Sequence, residues 1–142
     1  MKIALMMENS QATKNAIILK ELNAVASEKA YPVYNVGMSD ENDHHLTYIH
    51  LGIMASILLN SKAVDFVVSG CGTGQGAMMS LNAHPGVFCG YCIEPTDAYL
   101  FAQVNNGNAL AFTALRDAAL VGRGPLSAGG VGGGSSITDA YA

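Results

Sequence analysis

A glycine-rich turn between a predicted strand and a predicted helix constrains this sequence more than any other feature. The turn lies within residues 64–82, where an apolar run at 66–68 is followed by glycines 70, 72, 74 and 76, and then by a helix-like segment at 77–81. Backbone N–H groups in such a turn, together with the dipole of the helix that follows, favour an anion. The sequence therefore predicts an anion-binding site between this strand and this helix.

Two side chains with useful chemistry lie inside the turn. Cys71 and Thr73 alternate with the glycines. A thiol near a helix N-terminus is favoured in its thiolate form, which is the form that acts as a base or a nucleophile. The turn is neither the dinucleotide fingerprint nor a P-loop, since no Gly-Lys-Ser/Thr follows it. It therefore favours chemistry centred on Cys71, and a flavodoxin-like nucleotide-binding module is the weaker interpretation.

The rest of the chain is predicted to alternate strands with helices. Strands are predicted at 1–7, 31–36, 66–68, 87–92 and 109–112, and helices at 12–27, 47–60, 77–81 and 96–104. Most of these strands are apolar throughout, which is typical of a parallel sheet covered on both faces. We therefore expect an α/β protein, a three-layer α/β/α Rossmann-like sandwich with a five-stranded parallel sheet. Ligands of such folds bind at the carboxyl ends of the strands, the edge expected to carry Glu8, Asn9, Cys71 and Glu94.

Composition and charge argue against several classes of function. Half of the 142 residues are hydrophobic and the net charge is −4, with the lysines scattered along the chain. This pattern argues against a nucleic-acid or anionic-membrane surface. The sequence contains no apolar run of membrane-spanning length, and its first residues do not have the layout of a signal peptide. We therefore expect a cytoplasmic protein with no nucleic-acid or membrane partner.

The cysteines favour reduced thiols. The chain has three cysteines, an odd number that does not suggest a disulfide framework. Cys89 and Cys92 form a lone C-x-x-C inside an apolar strand, with no second pair of ligands nearby. Free cysteines usually behave as small hydrophobes, so we interpret this pair as buried structural thiols and predict no metal site.

The turn and the residues that follow it resemble the family of B-type ribose-5-phosphate isomerases and the related galactose-6-phosphate isomerase subunits. The resemblance covers roughly residues 1–113 and rests on residues 64–76, Asn82, Gly86, Glu94-Pro95, Asn105 and residues 108–112. It implies a Rossmann-like fold and the interconversion of an aldose phosphate and a ketose phosphate through a cis-enediolate. It also implies no metal or organic cofactor, a small-molecule sugar phosphate as partner, and a homodimer or higher homo-oligomer with sites at the subunit interface.

The resemblance implies which groups move the proton and stabilise the intermediate. Cys71 would act as the base between C1 and C2 of the sugar. The N–H groups of Gly72, Gly74 and Gly76 would stabilise the enediolate oxygen, and Asn105 matches an asparagine of the family.

Other matching positions would handle the sugar hydroxyls. The resemblance assigns ring opening and hydroxyl orientation to Thr73, Tyr48 and Glu8, the last at the position of an early aspartate in the family. His50 lies in the segment that matches the tyrosine-containing loop of the family and is a further candidate for substrate binding. Asn9 stands at the position of a family histidine that often contacts phosphate.

The chain also departs from the family. Val104 replaces a histidine that assists ring opening, and the only arginines of the chain are Arg116 and Arg123. Arginine is the side chain best suited to bidentate phosphate binding, so the phosphate half of the site has no obvious anchor. These departures favour an alternative function, a non-catalytic sugar- or sugar-phosphate-binding protein derived from the same fold.

The composition changes after the predicted domain. We assign residues 1–113 to an isomerase-like α/β domain and residues 114–142 to a Gly/Ser/Ala-rich tail that is atypical for the family. Such a composition is typical of flexible segments. We expect the tail to reflect a truncation, an altered reading frame or an engineered end.

Overall fold

The structure is a computed structural model that describes residues 1–40, 42–43 and 45–114. Its five strands are β1 (Ile3–Met7), β2 (Val33–Asn35), β3 (Phe66–Cys71), β4 (Cys89–Cys92) and β5 (Ala109–Thr113). All neighbouring strands pair in parallel, in the order β2-β1-β3-β5-β4. The predicted five-stranded parallel sheet is therefore confirmed.

Four α-helices connect the strands: α1 (Asn15–Glu28), α2 (Tyr48–Asn60), α3 (Gln75–Asn82) and α4 (Pro95–Leu100). A 3-10 helix at Asn9–Lys14 precedes α1, and a π-helix at Phe101–Asn105 extends α4. The helix predicted at 12–27 therefore becomes α-helical only at Asn15. The reason lies at its start, where the Glu8 side chain caps the 3-10 turn and Gln11 has a non-helical φ of −124°.

Two apolar clusters fill the space between the sheet and the helices. Alternate residues of a strand face opposite sides, so Ile3 and Leu5 pack on one side while Ala4 and Met6 pack on the other. The first side is covered by α1 and α4, and the second by α2 and α3. This arrangement confirms the predicted three-layer sandwich, because a parallel sheet needs helices on both faces.

The two cysteines of β4 belong to this core. Cys89 packs in the cluster under α2 and α3, whereas Cys92 packs in the cluster under α1 and α4. Burial, with a further contribution from the charge of Cys92, raises the pKa of Cys89 to about 12. Burial, with a further contribution from Asp97, raises the pKa of Cys92 to about 12. Both are free thiols, as the structural interpretation predicted.

The turn from α4 to β5 is shaped by one aromatic ring. A Cβ added at Gly90 would lie 2.6 Å from Phe101 Cγ, and one added at Gly107 would lie 2.1 Å from Phe101 Cζ. The ring therefore occupies space that exists only because both neighbours are glycines.

Residues 115–142, which hold almost all of the predicted tail, lie outside the described part of the chain. His44 lies outside it as well. Within the described residues, no helix combines the length and the apolar composition needed to cross a membrane.

Candidate active site

The site lies where the strand order changes direction. From the centre of the sheet, β1 is followed outward by β2, whereas β3 is followed on the other side by β5 and β4. Met7 pairs with Gly70 and Cys71 pairs with Thr113, so β1, β3 and β5 end at the same level. Glu8 continues β1 in an extended conformation. Glu8 and Cys71 therefore flank the crevice in which ligands of open α/β sheets bind.

Cys71 ends β3 and is nearly buried, with 5% of its surface exposed. Its Sγ accepts a hydrogen bond of 3.2 Å from the N–H of Gly74. Gly74 caps the N-terminus of α3 with a φ of +80°, a left-handed conformation that favours glycine. A backbone donor therefore faces the sulfur next to the N-terminus of α3. The strand, the turn and the helix start predicted from the sequence are all present.

The carbonyls of the turn are held by two side chains that the sequence analysis missed. The Thr113 hydroxyl donates to the Gly72 carbonyl at 2.9 Å, and the Tyr91 hydroxyl donates to the Thr73 carbonyl at 2.9 Å. A tyrosine in an otherwise apolar strand is a usable signal, because its hydroxyl needs a partner when the ring is packed. Its partner could not be read from the sequence.

Tyr48 lies beside the turn, in the first residues of α2, and His50 follows it two residues later in the same helix. Ring carbons of Tyr48 are 3.3–3.4 Å from the position that a Cβ at Gly76 would take, so ring and turn are in contact. The exposed side chain of His50 caps the N-terminus of α2, because its Nδ1 accepts a hydrogen bond of 3.0 Å from the Thr47 N–H. In the neutral ring the proton is then on Nε2, which can donate. Thr73 is exposed on the turn.

Glu8 and Asn9 lie at the end of β1. The Glu8 side chain is 3% exposed, and its carboxylate accepts the Ser10 N–H at 3.0 Å and also the Ser10 hydroxyl. The Asn9 N–H donates to the Leu46 carbonyl at 2.7 Å, while the residue itself is exposed. A buried carboxylate with fixed donors is therefore present at the edge of the crevice.

Asn105 is not near the turn of its own chain. It ends the π-helix that returns to the start of β5, where Ala109 pairs with Val67. Val67 precedes Cys71 by four residues, which is about 13 Å along a strand. Asn105 and Val104 are exposed at the amino edge of the sheet, whereas Cys71 lies at the carboxyl edge.

Two asparagines among the residues that carry the family resemblance, Asn82 and Asn108, have structural roles. Asn82 accepts the Cys89 N–H and donates to the Cys89 carbonyl, both at 2.8 Å. Asn108 accepts the Phe88 N–H and donates to the Gly86 carbonyl, again both at 2.8 Å. Together they fix the entry into β4.

Comparison with known families gives one clear result. Residues 3–121 match the model of the family described as Ribose/Galactose Isomerase. The match runs past the predicted domain boundary at residue 113.

Comparison with solved structures agrees with the family match. A ribose-5-phosphate isomerase from Vibrio parahaemolyticus is 60% identical, with a TM-score of 0.85, over 100% of this chain and 64% of its own. A 4-deoxy-L-threo-5-hexosulose-uronate ketol-isomerase, solved with a tartrate, is 52% identical, with a TM-score of 0.81, over 85% of this chain and 58% of its own. This chain thus spans about three fifths of the length of both relatives. A ribose-5-phosphate isomerase B from Clostridium thermocellum, at 20% identity and a TM-score of 0.73 over 99% of this chain and 83% of its own, shares the fold.

Proposed function

We propose that this chain, which belongs to the Ribose/Galactose Isomerase family, interconverts an aldose phosphate and a ketose phosphate through a cis-enediolate, with Cys71 as the base. The observation that carries the proposal is the Cys71 sulfur, nearly buried at a helix N-terminus and facing a backbone donor. This environment supports a role for the Cys71 sulfur as a base, with no metal or organic cofactor proposed.

The chemistry balances with groups of the site. The Cys71 thiolate takes the proton from C2 of the open-chain aldose, the electron pair forms the C1–C2 double bond, and negative charge develops on O1. N–H groups of Gly72 and Gly76 are proposed to stabilise that charge, the kind of term that is often the largest in catalysis. The Gly74 N–H, expected in the same role, is instead bonded to the Cys71 sulfur. The thiol then returns the proton to C1, which gives the ketose.

The remaining residues are proposed to handle oxygen atoms. The Glu8 carboxylate and the Thr73 hydroxyl are suited to moving the hydroxyl proton between O2 and O1, which the net reaction requires. Asn9, Tyr48 and His50 are proposed to orient the hydroxyls of the substrate.

The test is isotope exchange. In D₂O, wild-type protein with its substrate should incorporate deuterium at C1 or C2 by NMR, because the enediolate exchanges its proton with solvent. Cys71→Ala should lose this exchange by at least about 10²-fold, the usual range for a general base. Cys92→Ala, in the core on the other side of the sheet, should retain it. Full exchange by a folded Cys71→Ala protein would refute the assignment of the base.

A sugar acid is a second candidate for the substrate. Both arginines of the chain follow residue 114, so the described residues contain no guanidinium to hold a phosphate. The relative that acts on a hexosulose-uronate is 52% identical, and the tartrate in its crystal is a dicarboxylate. A carboxylate carries less charge than a phosphate and needs fewer anchors. Rates measured with ribose 5-phosphate, galactose 6-phosphate and 4-deoxy-L-threo-5-hexosulose-uronate decide between the two classes.

Val104, which replaces a family histidine, and the absence of arginines from the described residues favour the non-catalytic alternative. A binding protein would titrate with a sugar phosphate or a uronate by calorimetry but would exchange no deuterium over a long incubation. Any exchange that depends on Cys71 eliminates that alternative.

We also propose that Asn105 acts in the site of a second copy, since within one chain it lies at the opposite edge. An apolar stripe on α2, formed by Ile49, Ile53 and Ile57, supports association, because these side chains are 47–62% exposed in the single chain.

Mixing two inactive variants tests this arrangement. If Asn105 crosses between copies, co-refolded Cys71→Ala and Asn105→Ala chains regain about a quarter of wild-type activity. The reason is that half of the dimers are mixed, and each of these has one intact site. No recovery in verified heterodimers would contradict the proposal.

A further inference from the structure

We infer that Tyr91 is a positioning residue for the proposed base: its hydroxyl fixes the peptide between Thr73 and Gly74 and thereby aims the Gly74 N–H at the Cys71 sulfur. The inference rests on the proposed role of Cys71. It adds a residue from β4, two strands away from the one that carries the thiol.

The two hydrogen bonds that carry the inference share one peptide unit. The Tyr91 hydroxyl donates to the Thr73 carbonyl at 2.9 Å, and the Gly74 N–H donates to Cys71 Sγ at 3.2 Å. A carbonyl and the N–H that follows it belong to the same rigid plane and point in opposite directions in a trans peptide. Fixing the oxygen therefore fixes the direction of the N–H.

The same pair of bonds also acts electronically. A donor on a carbonyl oxygen polarises the peptide, so that its N–H becomes a better donor. A stronger donor on the sulfur favours the charged thiolate over the neutral thiol. The Tyr91 hydroxyl therefore stabilises the reactive form of Cys71 without touching it.

Packing holds the ring in place for this role. A Cβ at Gly74 would lie 2.7 Å from Tyr91 Cε2, so the ring lies directly against the glycine. Tyr91 pairs with Ala111 of β5, a residue with only a methyl group, and both belong to strands that flank the turn. The strand next to β3 thus leaves room for a phenol from the strand beyond it.

Thr113 provides the internal comparison. Its hydroxyl holds the preceding carbonyl, that of Gly72, at 2.9 Å. The N–H in that peptide unit belongs to Thr73 and donates to no acceptor among the described residues. Thr113 and Tyr91 both restrain the turn, but only the peptide unit held by Tyr91 has an N–H that donates to the Cys71 sulfur.

The test measures Cys71 directly and does not depend on turnover. Alkylation by iodoacetamide is followed as a function of pH by mass spectrometry of the Cys71 peptide, in wild type, Tyr91→Phe, Thr113→Val and Tyr34→Phe. Tyr91→Phe should move the midpoint of the alkylation profile up by about half a pH unit, which lowers the rate below the midpoint about threefold. Tyr34→Phe removes an exposed hydroxyl at the far edge of the sheet and should leave the profile unchanged.

A second readout follows the peptide itself. The Gly74 amide resonance in a ¹H–¹⁵N spectrum should move upfield in Tyr91→Phe, because its N–H bond to sulfur weakens. Where a substrate is turned over, Tyr91→Phe should lower kcat with little change in KM, since the hydroxyl does not contact substrate.

Two results would overturn the inference. One is a folded Tyr91→Phe protein whose Cys71 profile coincides with wild type. The other is an equal shift in Thr113→Val, which would mean that any loosening of the turn has this effect. If Tyr91→Phe shifts the Cys71 alkylation midpoint but the wild-type protein has no isomerase activity, the proposed function is refuted. The inference that Tyr91 positions the Gly74 N–H then still stands.

Discussion

At the scale of single residues, Gly74 is the position where the turn tolerates least change. Its φ is +80°, and a Cβ there would lie 2.6 Å from the Phe112 carbonyl carbon. Gly76, two residues later, has no such conformation, and the nearest atoms to a Cβ there would be ring carbons of Tyr48 at 3.3–3.4 Å. The backbone conformation and the nearby backbone therefore require glycine at position 74, whereas position 76 is restricted by a side chain.

Gly74→Ala is expected to destabilise the fold by about 2–4 kcal/mol, because it combines a left-handed conformation with a clash against backbone. Gly76→Ala should change stability by less than about 1 kcal/mol, since alanine favours a helix and the half-exposed Tyr48 ring can move. Urea unfolding of both variants measures the difference. Equal losses would show that the turn is not restrained at Gly74.

The thiols of β4 give a prediction on alkaline pH. Burial raises the pKa of Cys89 and of Cys92 from 9.0 to about 12. The unfolded chain releases these protons first, so stability is full below pH 9 and falls between about pH 9 and 12. The slope is about 1.4 kcal/mol per pH unit for each thiol. Replacing both by alanine should flatten this limb in urea unfolding while leaving the slope between pH 5 and 8 unchanged; an unaltered alkaline limb would contradict the prediction.

At the scale of elements, the end of α4 depends on Phe101 fitting between two glycines. Gly107→Ala would place a methyl group where the ring lies and should cost about 1–3 kcal/mol by overpacking. Phe101→Leu alone should also destabilise, because it leaves a cavity. The double variant should lose less stability than the sum of the losses in the two single variants, with a coupling free energy above about 0.5 kcal/mol in a double-mutant cycle. Strict additivity would mean that the ring does not need the space at Gly107.

Elements also show what the sequence could and could not predict. The strand, turn and helix around Cys71 were predictable, because hydrophobic runs and glycines act locally. The start of α1 was placed too early, since the Glu8 cap favours a 3-10 turn that periodicity does not reveal. The hydrogen bonds from Tyr91 and Thr113 were missed because they depend on β5 lying between β3 and β4. The position of Asn105 at the opposite edge, in contrast, follows from the predicted order of elements, because a residue just before a strand of a parallel sheet lies at the amino edge.

At the scale of the whole molecule, α2 carries an exposed apolar stripe on its outer side. The stripe is formed by residues spaced four apart, Ile49, Ile53 and Ile57. A helix that is apolar on its outer side as well as its inner side is normally covered. We propose a second copy of this chain as the occupant, because it would also bring Asn105 to a site.

Ile53→Lys is therefore expected to shift the protein toward monomer in sedimentation velocity, because a charge cannot be buried without a partner. Ile17→Lys is the matched control: Ile17 is 52% exposed on α1, Ile53 is 47% exposed, and α1 covers the other face of the sheet. The control should leave the association state unchanged. A wild-type protein that stays monomeric at all concentrations would refute the interface.

The position of β5 also bears on when the site forms. β5 is the last strand of the described chain, yet it lies between β3 and β4 and supplies Thr113 beneath the turn. Domains fold as units while synthesis proceeds from the N-terminus. A ribosome-bound chain that has emerged only to residue 100 already carries Cys71 and its glycines, but β3 and β4 still lack the strand that joins them. Thr113 can therefore restrain the turn around Cys71, the proposed base, only after β5 has been added between β3 and β4.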